Sequence, residues 1–258
     1  MALVLLLGGL GLLALPGAAR RLGRELVPAE WARLSAGLLL GGAAVVWLAA
    51  VLFAAPTVLR ALGVPHLAEA CERMLGPLTP GGPVLGWSAL AVVGALPLFS
   101  AVGFARARRE QRHFQIEPWL GHHERFGGHD LVTLPTDELL ALSVDGCPSQ
   151  IVVSSGLVAA VSPSELAAVL RHEAAHLEHG HHRFLLLASA IEHGFAVVPF
   201  VRRSTRALRA ALERWADEAA TGGECASRAV LRNALLGVTM AIVNPAVAAF
   251  AAAETVVE

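Results

Sequence analysis

The 258-residue sequence predicts a mostly α chain in two parts: a multi-span helical membrane domain over residues 1–112, then an α+β domain over 113–258. Three observations predict it. Hydrophobic residues make up 55% of the chain and charged residues only 16%, against roughly 45–50% and 25% in an ordinary soluble domain. The apolar excess gathers in long charge-free runs before Arg106. Behind them the pattern changes to short β-prone runs and capped helical periodicity, and one helix carries the motif HExxH.

The composition also excludes classes of partner. Formal charge is −1, and the basic residues, all of them Arg, form no footprint for phosphates, so no nucleic-acid partner is expected. Cys71, Cys147 and Cys225 lie far apart with no CxxC pair. They predict free thiols and neither a disulfide framework nor a cysteine metal site.

Met1–Ala19, Leu34–Leu59 and Val84–Ala105 each lack any charged residue. About 20 apolar residues in a helix cross a hydrocarbon core, so each run is long enough to span. The first has no basic region before it and places Arg20, Arg21 and Arg24 after it, which favours a span over a cleaved secretory signal. Arg20, Arg21, Arg24 and Arg33 follow the first run, and Arg106, Arg108, Arg109 and Arg112 follow the third. The loop between the second and third has only Arg60 and Arg73, offset by Glu69 and Glu72. Basic loops stay inside, so the N-terminus is expected outside and the chain after Ala105 in the cytoplasm, as a multi-pass membrane protein. The lipid bilayer is then its first partner. Phe184–Val201 is apolar but holds Glu192 and His193 at its centre, so it is expected as a core or membrane-edge helix. Asn233–Ala253 is charge-free but broken by Asn244-Pro245, which suits either a fourth span or a packed helix.

In the second part, residues 106–135 are mixed and loop-like, and Gly121–His129, with His122, His123 and His129, reads as a solvated linker. Leu139–Val144 and Ile151–Ser154 are β-prone and flank the turn Asp145-Gly146-Cys147-Pro148, which predicts a hairpin. Ser162-Pro163-Ser164-Glu165 has a cap residue, proline at the first helical position and an acid three residues after the cap, the capping-box start of a helix.

That helix contains His172-Glu173-Ala174-Ala175-His176. Four residues advance about 400°, so His172 and His176 share a face one turn apart and can close on a single ion. A catalytic zinc takes three protein ligands and leaves a position for water, and Glu173 stands beside the two histidines to accept that water's proton. A third ligand has two candidates. Glu213 and Asp217 lie four apart on the helix expected from about Thr205 to Thr221, so one can bind metal while the other hydrogen-bonds the outer nitrogen of a ligating histidine. His182 has the spacing of the HExxHxxGxxH motif, but the glycine that motif needs is displaced by one, to Gly180. His179 and His181 are expected as polar surface at the helix end.

HEAAH preceded by SPSELAAVLR and the segment IVVSSGLVAAV, and followed by ERWADEAA, resembles the membrane-embedded gluzincin peptidases. These include HtpX-type quality-control proteases, CAAX prenyl endopeptidases and the beta-lactam-sensor/methicillin-resistance antirepressor peptidases, and the layout is most similar to the last. The resemblance implies a zincin-like second domain with one zinc per chain. It implies His172, His176 and Glu213 as ligands, Glu173 as general base and Asp217 as support for a ligand. It further implies a protein or peptide substrate that adds as a β-strand to a free edge at Ile151–Ser154. The expected activity is zinc-dependent endoproteolysis, with regulatory cleavage of a cytosolic repressor or quality control of membrane proteins as its role. A non-catalytic, histidine-rich metal sensor in the membrane is the competing class.

Overall fold

A computed structural model describes residues 2–19, 22–75, 83–113 and 121–221. The described residues are mostly helical with one small mixed sheet, and they fall into two compact units. One takes Met1–Arg108 with Arg183–Leu212, and the other Arg109–His182 with Glu213–Glu258.

The first unit opens with α1 (Ala2–Ala18), the short α2 (Leu22–Glu25) and α3 (Pro28–Ala61), and continues with α4 (Pro65–Leu75) and α5 (Pro83–His113). Among the described residues two helices are long and apolar enough to cross a membrane: α3 over its whole length and α5 over Val84–Arg112. The expected first span is instead a shorter apolar helix of 17 residues, α1, so three spans exceed what these helices carry by length. Helices α1 and α3 cross closely at glycines: a Cβ on Gly42 would stand 2.9 Å from the Gly9 carbonyl, and one on Gly9 would stand 2.8 Å from Val46 Cγ2. The indole N–H of Trp47 on α3 donates to the Val93 carbonyl of α5 at 3.1 Å. Leu40 on α3 and Leu98 and Phe99 on α5 are left more than half exposed, an apolar surface of the kind that marks contact with a membrane or another protein.

Two later helices contribute to this unit, α8 (His181–Gly194) from Arg183 on and α9 (Pro199–Thr221) as far as Leu212. The apolar stretch expected as a core or membrane-edge helix thus breaks in two, with α8 too short to span. Glu192 on α8 accepts from both guanidinium nitrogens of Arg209 on α9, at 3.1–3.2 Å, and from the Thr205 hydroxyl. The acid inside an apolar stretch is therefore half of a structural ion pair with Arg209. The expected fourth-span segment, Asn233–Ala253, and Cys225 lie outside the described residues, while Cys71 and Cys147 are free thiols as expected.

The second unit holds the sheet. Its strands β1 (His122–Phe126), β2 (His129–Leu134), β3 (Ala141–Val144) and β4 (Gln150–Ser154) stand in the order β1-β2-β4-β3, antiparallel except for β2 against β4. The hairpin expected around Asp145–Pro148 is present as β3 and β4. The expected linker at Gly121–His129 is wrong: it forms β1, the turn and the first residue of β2. Gly127 and Gly128 both adopt positive φ, +57° and +90°, which a two-residue turn of this hand requires and side chains resist. Strand β4 lies between β2 and β3, so the edge expected at Ile151–Ser154 is not free.

Alternation along β4 fixes its packing. Ile151 and Val153 meet Leu157, Val169, Leu170 and Ala174 on one face, and Val152 meets Val132 and Val144 on the other. Each such fully buried aliphatic side chain contributes about 1.5–3 kcal/mol. Ser154 ends the strand and caps α6 (Ser155–Ala160), accepting from the Leu157 N–H at 3.1 Å. Then α7 (Pro163–Glu178) starts as its sequence predicts. The Ser162 hydroxyl accepts from the Glu165 N–H at 3.3 Å, and the Glu165 carboxylate accepts from the Ser162 N–H at 2.8 Å. The buried side of α7, including Val169, Leu170 and Ala174, fixes which side of it the motif occupies.

Candidate metal centre

The start of α7 and its packing on the sheet place His172, Glu173 and His176 in a largely buried row. Nε2 of His172 and Nε2 of His176 lie 3.1 Å apart. Glu213, from the last part of α9, brings Oε2 to 3.6 Å from the first and 3.8 Å from the second. A point equidistant from three atoms so spaced lies about 2.0 Å from each, which matches the zinc–imidazole distance of about 2.0–2.1 Å. The three side chains sequence reasoning proposed are thus brought together and lie close enough to hold one metal ion. Two imidazoles and a carboxylate are also the donor set of catalytic zinc sites.

Asp217 falls one turn after Glu213, and its Oδ1 stands 3.0 Å from Nδ1 of His172, the nitrogen that faces away from the other ligands. A carboxylate behind a ring nitrogen is where support for a metal-ligating histidine would come from. Burial opposes a charge on His172, but Asp217 and Glu213 outweigh it and hold the ring up at about 9. His176 has no carboxylate against its ring nitrogens at that distance, and burial pushes it down to about 4 despite Glu213. Glu213 is exposed on one side; its desolvation raises its carboxyl, but His172 and His176 hold it below the usual carboxylate range.

Glu173 is buried beside the two histidines. Desolvation pushes its carboxyl above the ordinary range, and His172 together with hydrogen bonds from the hydroxyl and N–H of Ser143 only temper the rise. Ser143 lies on β3, whose one described partner is β4, so the strand nearest the motif is also an edge of the sheet.

His182 does not join the cluster. Its Nε2 pairs with Asp145 in the β3–β4 turn at 3.1 Å, which removes it as the alternative third ligand. The reason is the turn after α7. His179 closes the helix, Gly180 takes the left-handed φ of +63°, and α8 begins at once with His181. With the glycine four rather than three residues after His176, the chain aims His181 back toward the motif and sends His182 elsewhere.

Two residues at this turn depart from expectation in different ways. His179 is exposed, as expected, and stacks on Trp215 of α9 at 4.7 Å and 18°. His181, expected at the surface, is completely buried, with Nδ1 3.0 Å from Nδ1 of His176. Gly180 was the one local signal that could have placed it. Nothing in the sequence marked Ser143.

A small sheet laid on a helix bearing HExxH, with a carboxylate supplied by a later helix, is the arrangement of a metallopeptidase. Residues 144–251 match the profile of peptidase family M48, whose members are metal-dependent, so this stretch of the chain is similar to that family. No curated protein and no solved structure matches the chain.

Proposed function

We propose that the protein is a zinc-dependent endopeptidase of a bacterial plasma membrane, multi-pass, with its catalytic unit on the cytoplasmic side. The observation that carries the activity is the triangle of His172 Nε2, His176 Nε2 and Glu213 Oε2, whose spacing suits one zinc ion. Zinc, when bound, lowers the pKa of a water toward neutrality and polarises a peptide carbonyl.

The chain's own residues do the rest. His172, His176 and Glu213 hold the ion, and Asp217 fixes the tautomer of His172 by accepting from its Nδ1–H. Glu173 takes the proton of the attacking water on its carboxylate and passes it to the nitrogen of the leaving amine. Ser143 donates to that carboxylate and holds it in place. Because Ser143 stands on the edge strand β3, an extended peptide that pairs with β3 is drawn past Glu173 with its backbone aligned, so β3 takes the role expected of Ile151–Ser154. Membrane attachment is supported by α3 and α5, and the orientation by the arginines that flank them.

The test is zinc content and cleavage of an unfolded protein by the detergent-purified chain. One zinc per chain, lost in Glu213→Ala, with cleavage lost and zinc kept in Glu173→Gln, is the expected result. A wild-type chain that binds no zinc, or a Glu173→Gln form that cleaves normally, sinks the proposal.

A further inference from the structure

We propose that His181 is a positioning residue for the metal centre, accepting a hydrogen bond from Nδ1–H of His176 and so setting the tautomer and ring plane in which His176 presents Nε2. This rests on the zinc reading of His172, His176 and Glu213.

The geometry leaves His181 little else to do. It is fully buried, its ring stands edge-on to His176 with centroids 4.7 Å apart at 89°, and its Nδ1 lies 3.0 Å from the Nδ1 of His176. Two nitrogens at that distance share one proton: one donates and the other accepts. Nε2 of His176 points into the ligand triangle, where its lone pair is committed to the ion, so the proton of the neutral ring sits on Nδ1. His181 is then the acceptor, and its own proton sits on Nε2. The contact with His176 offsets part of the ring's desolvation, with Nε2 of His181 buried and without a hydrogen-bond partner among the described residues.

The ring is held from both ends. Gly180, at φ +63°, reverses the chain so that the first residue of α8 faces back to α7, and Trp215 packs against His181 with centroids 4.8 Å apart. Trp215 lies between Glu213 and Asp217 in sequence on the same helix, so the element that supplies one ligand also seats the support of another. The two ligating histidines thereby receive different partners. A carboxylate stands behind His172 and an uncharged acceptor behind His176. With Glu173, Glu213 and Asp217 already gathered here, the neutral choice adds no further negative charge.

The experiment compares His181→Phe with His181→Gln in the full chain, reading zinc affinity by competition with a chelating dye. Phe keeps a ring against Trp215 but accepts nothing, whereas the Gln amide oxygen can take the His176 proton. The Phe form is expected to lose about 10–100-fold in zinc affinity, with Gln within about threefold of wild type. Equal affinities for Phe and Gln overturn the proposal. Should the Phe form fail to fold, the ring-nitrogen NMR spectrum of the zinc-loaded wild type decides. His181 protonated at Nε2 and His176 at Nδ1 is expected, and His181 protonated at Nδ1 overturns it. A wild type that binds no zinc defeats the underlying reading, whereas normal wild-type binding with a Phe form as tight defeats only the role of His181.

Discussion

Among the described residues, a buried or half-buried acid in each unit meets the cost of burying charge in an opposite way. In the first unit Glu192 accepts from both guanidinium nitrogens of Arg209 and from Thr205. Its charge is matched inside the protein, and removing the pair to solvent is all that can be done with it. In the second unit Glu213, Asp217 and Glu173 crowd around His172 and His176, and the ring nitrogens and a carboxylate oxygen converge on one point. That cluster concentrates lone pairs, which is useful only toward a cation. A buried acid by itself therefore says little; whether its partner is a fixed guanidinium or a set of convergent donors separates a brace from a site.

The comparison can be broken most decisively at Glu173. Glu173→Gln is expected to lower cleavage by about 10²–10⁴-fold, the usual contribution of a general acid–base group, with zinc content unchanged. Next, the same substitution applied to both clusters should give opposite readouts: Glu213→Ala is expected to weaken zinc binding by more than about 100-fold, since losing a ligand exceeds losing its support. Glu192→Ala and His182→Ala should leave zinc titrations as in wild type.

Arg209→Ala removes the partner of Glu192 and is expected to cost about 1–2 kcal/mol in denaturant unfolding, less than for a fully buried pair because both side chains are partly exposed. Its pH dependence has a definite sign. Desolvation acts to raise the Glu192 carboxyl, but Arg209 and Thr205 win and lower it. The stabilisation is then fully present above the ordinary carboxylate range and disappears as pH falls through the lowered value, so the gap between wild type and Arg209→Ala should close in acid. The smallest effect is expected from Ser162→Ala, about 1 kcal/mol for a lost N-cap, measurable as a lower Tm with the zinc affinity of the folded protein intact.

What the sequence disclosed follows the range of the interactions involved. The capping box, the shared face of His172 and His176 and the pairing of Glu213 with Asp217 are written within one or two helical turns, and all are found where their spacing puts them. Strand β1 escaped because HHERF, lying at a sheet edge, has no apolar alternation, and the signal resided in the two glycines after it. The identity of the edge strand escaped because hairpin patterns give neighbours and not sheet order. His181 escaped because its burial depends on the backbone hand of one residue and on Trp215, which lies 34 positions further on. Likewise, no local pattern announces that Arg183–Leu212 packs within the same unit as the N-terminal helices.

The turn at Gly180 makes the centre sensitive to chain length as well as to chemistry. His181 and His182 are adjacent yet serve opposite clients, the first reaching His176 and the second Asp145 in the β3–β4 turn. A single residue deleted between His176 and His181 would bring His182 to the place of His181, and one inserted there would bring no imidazole to it, while the HExxH text stayed untouched. In such a protein the intact motif would be no guide to function, because the counting frame of the segment after it, and not the ligands themselves, would have been lost.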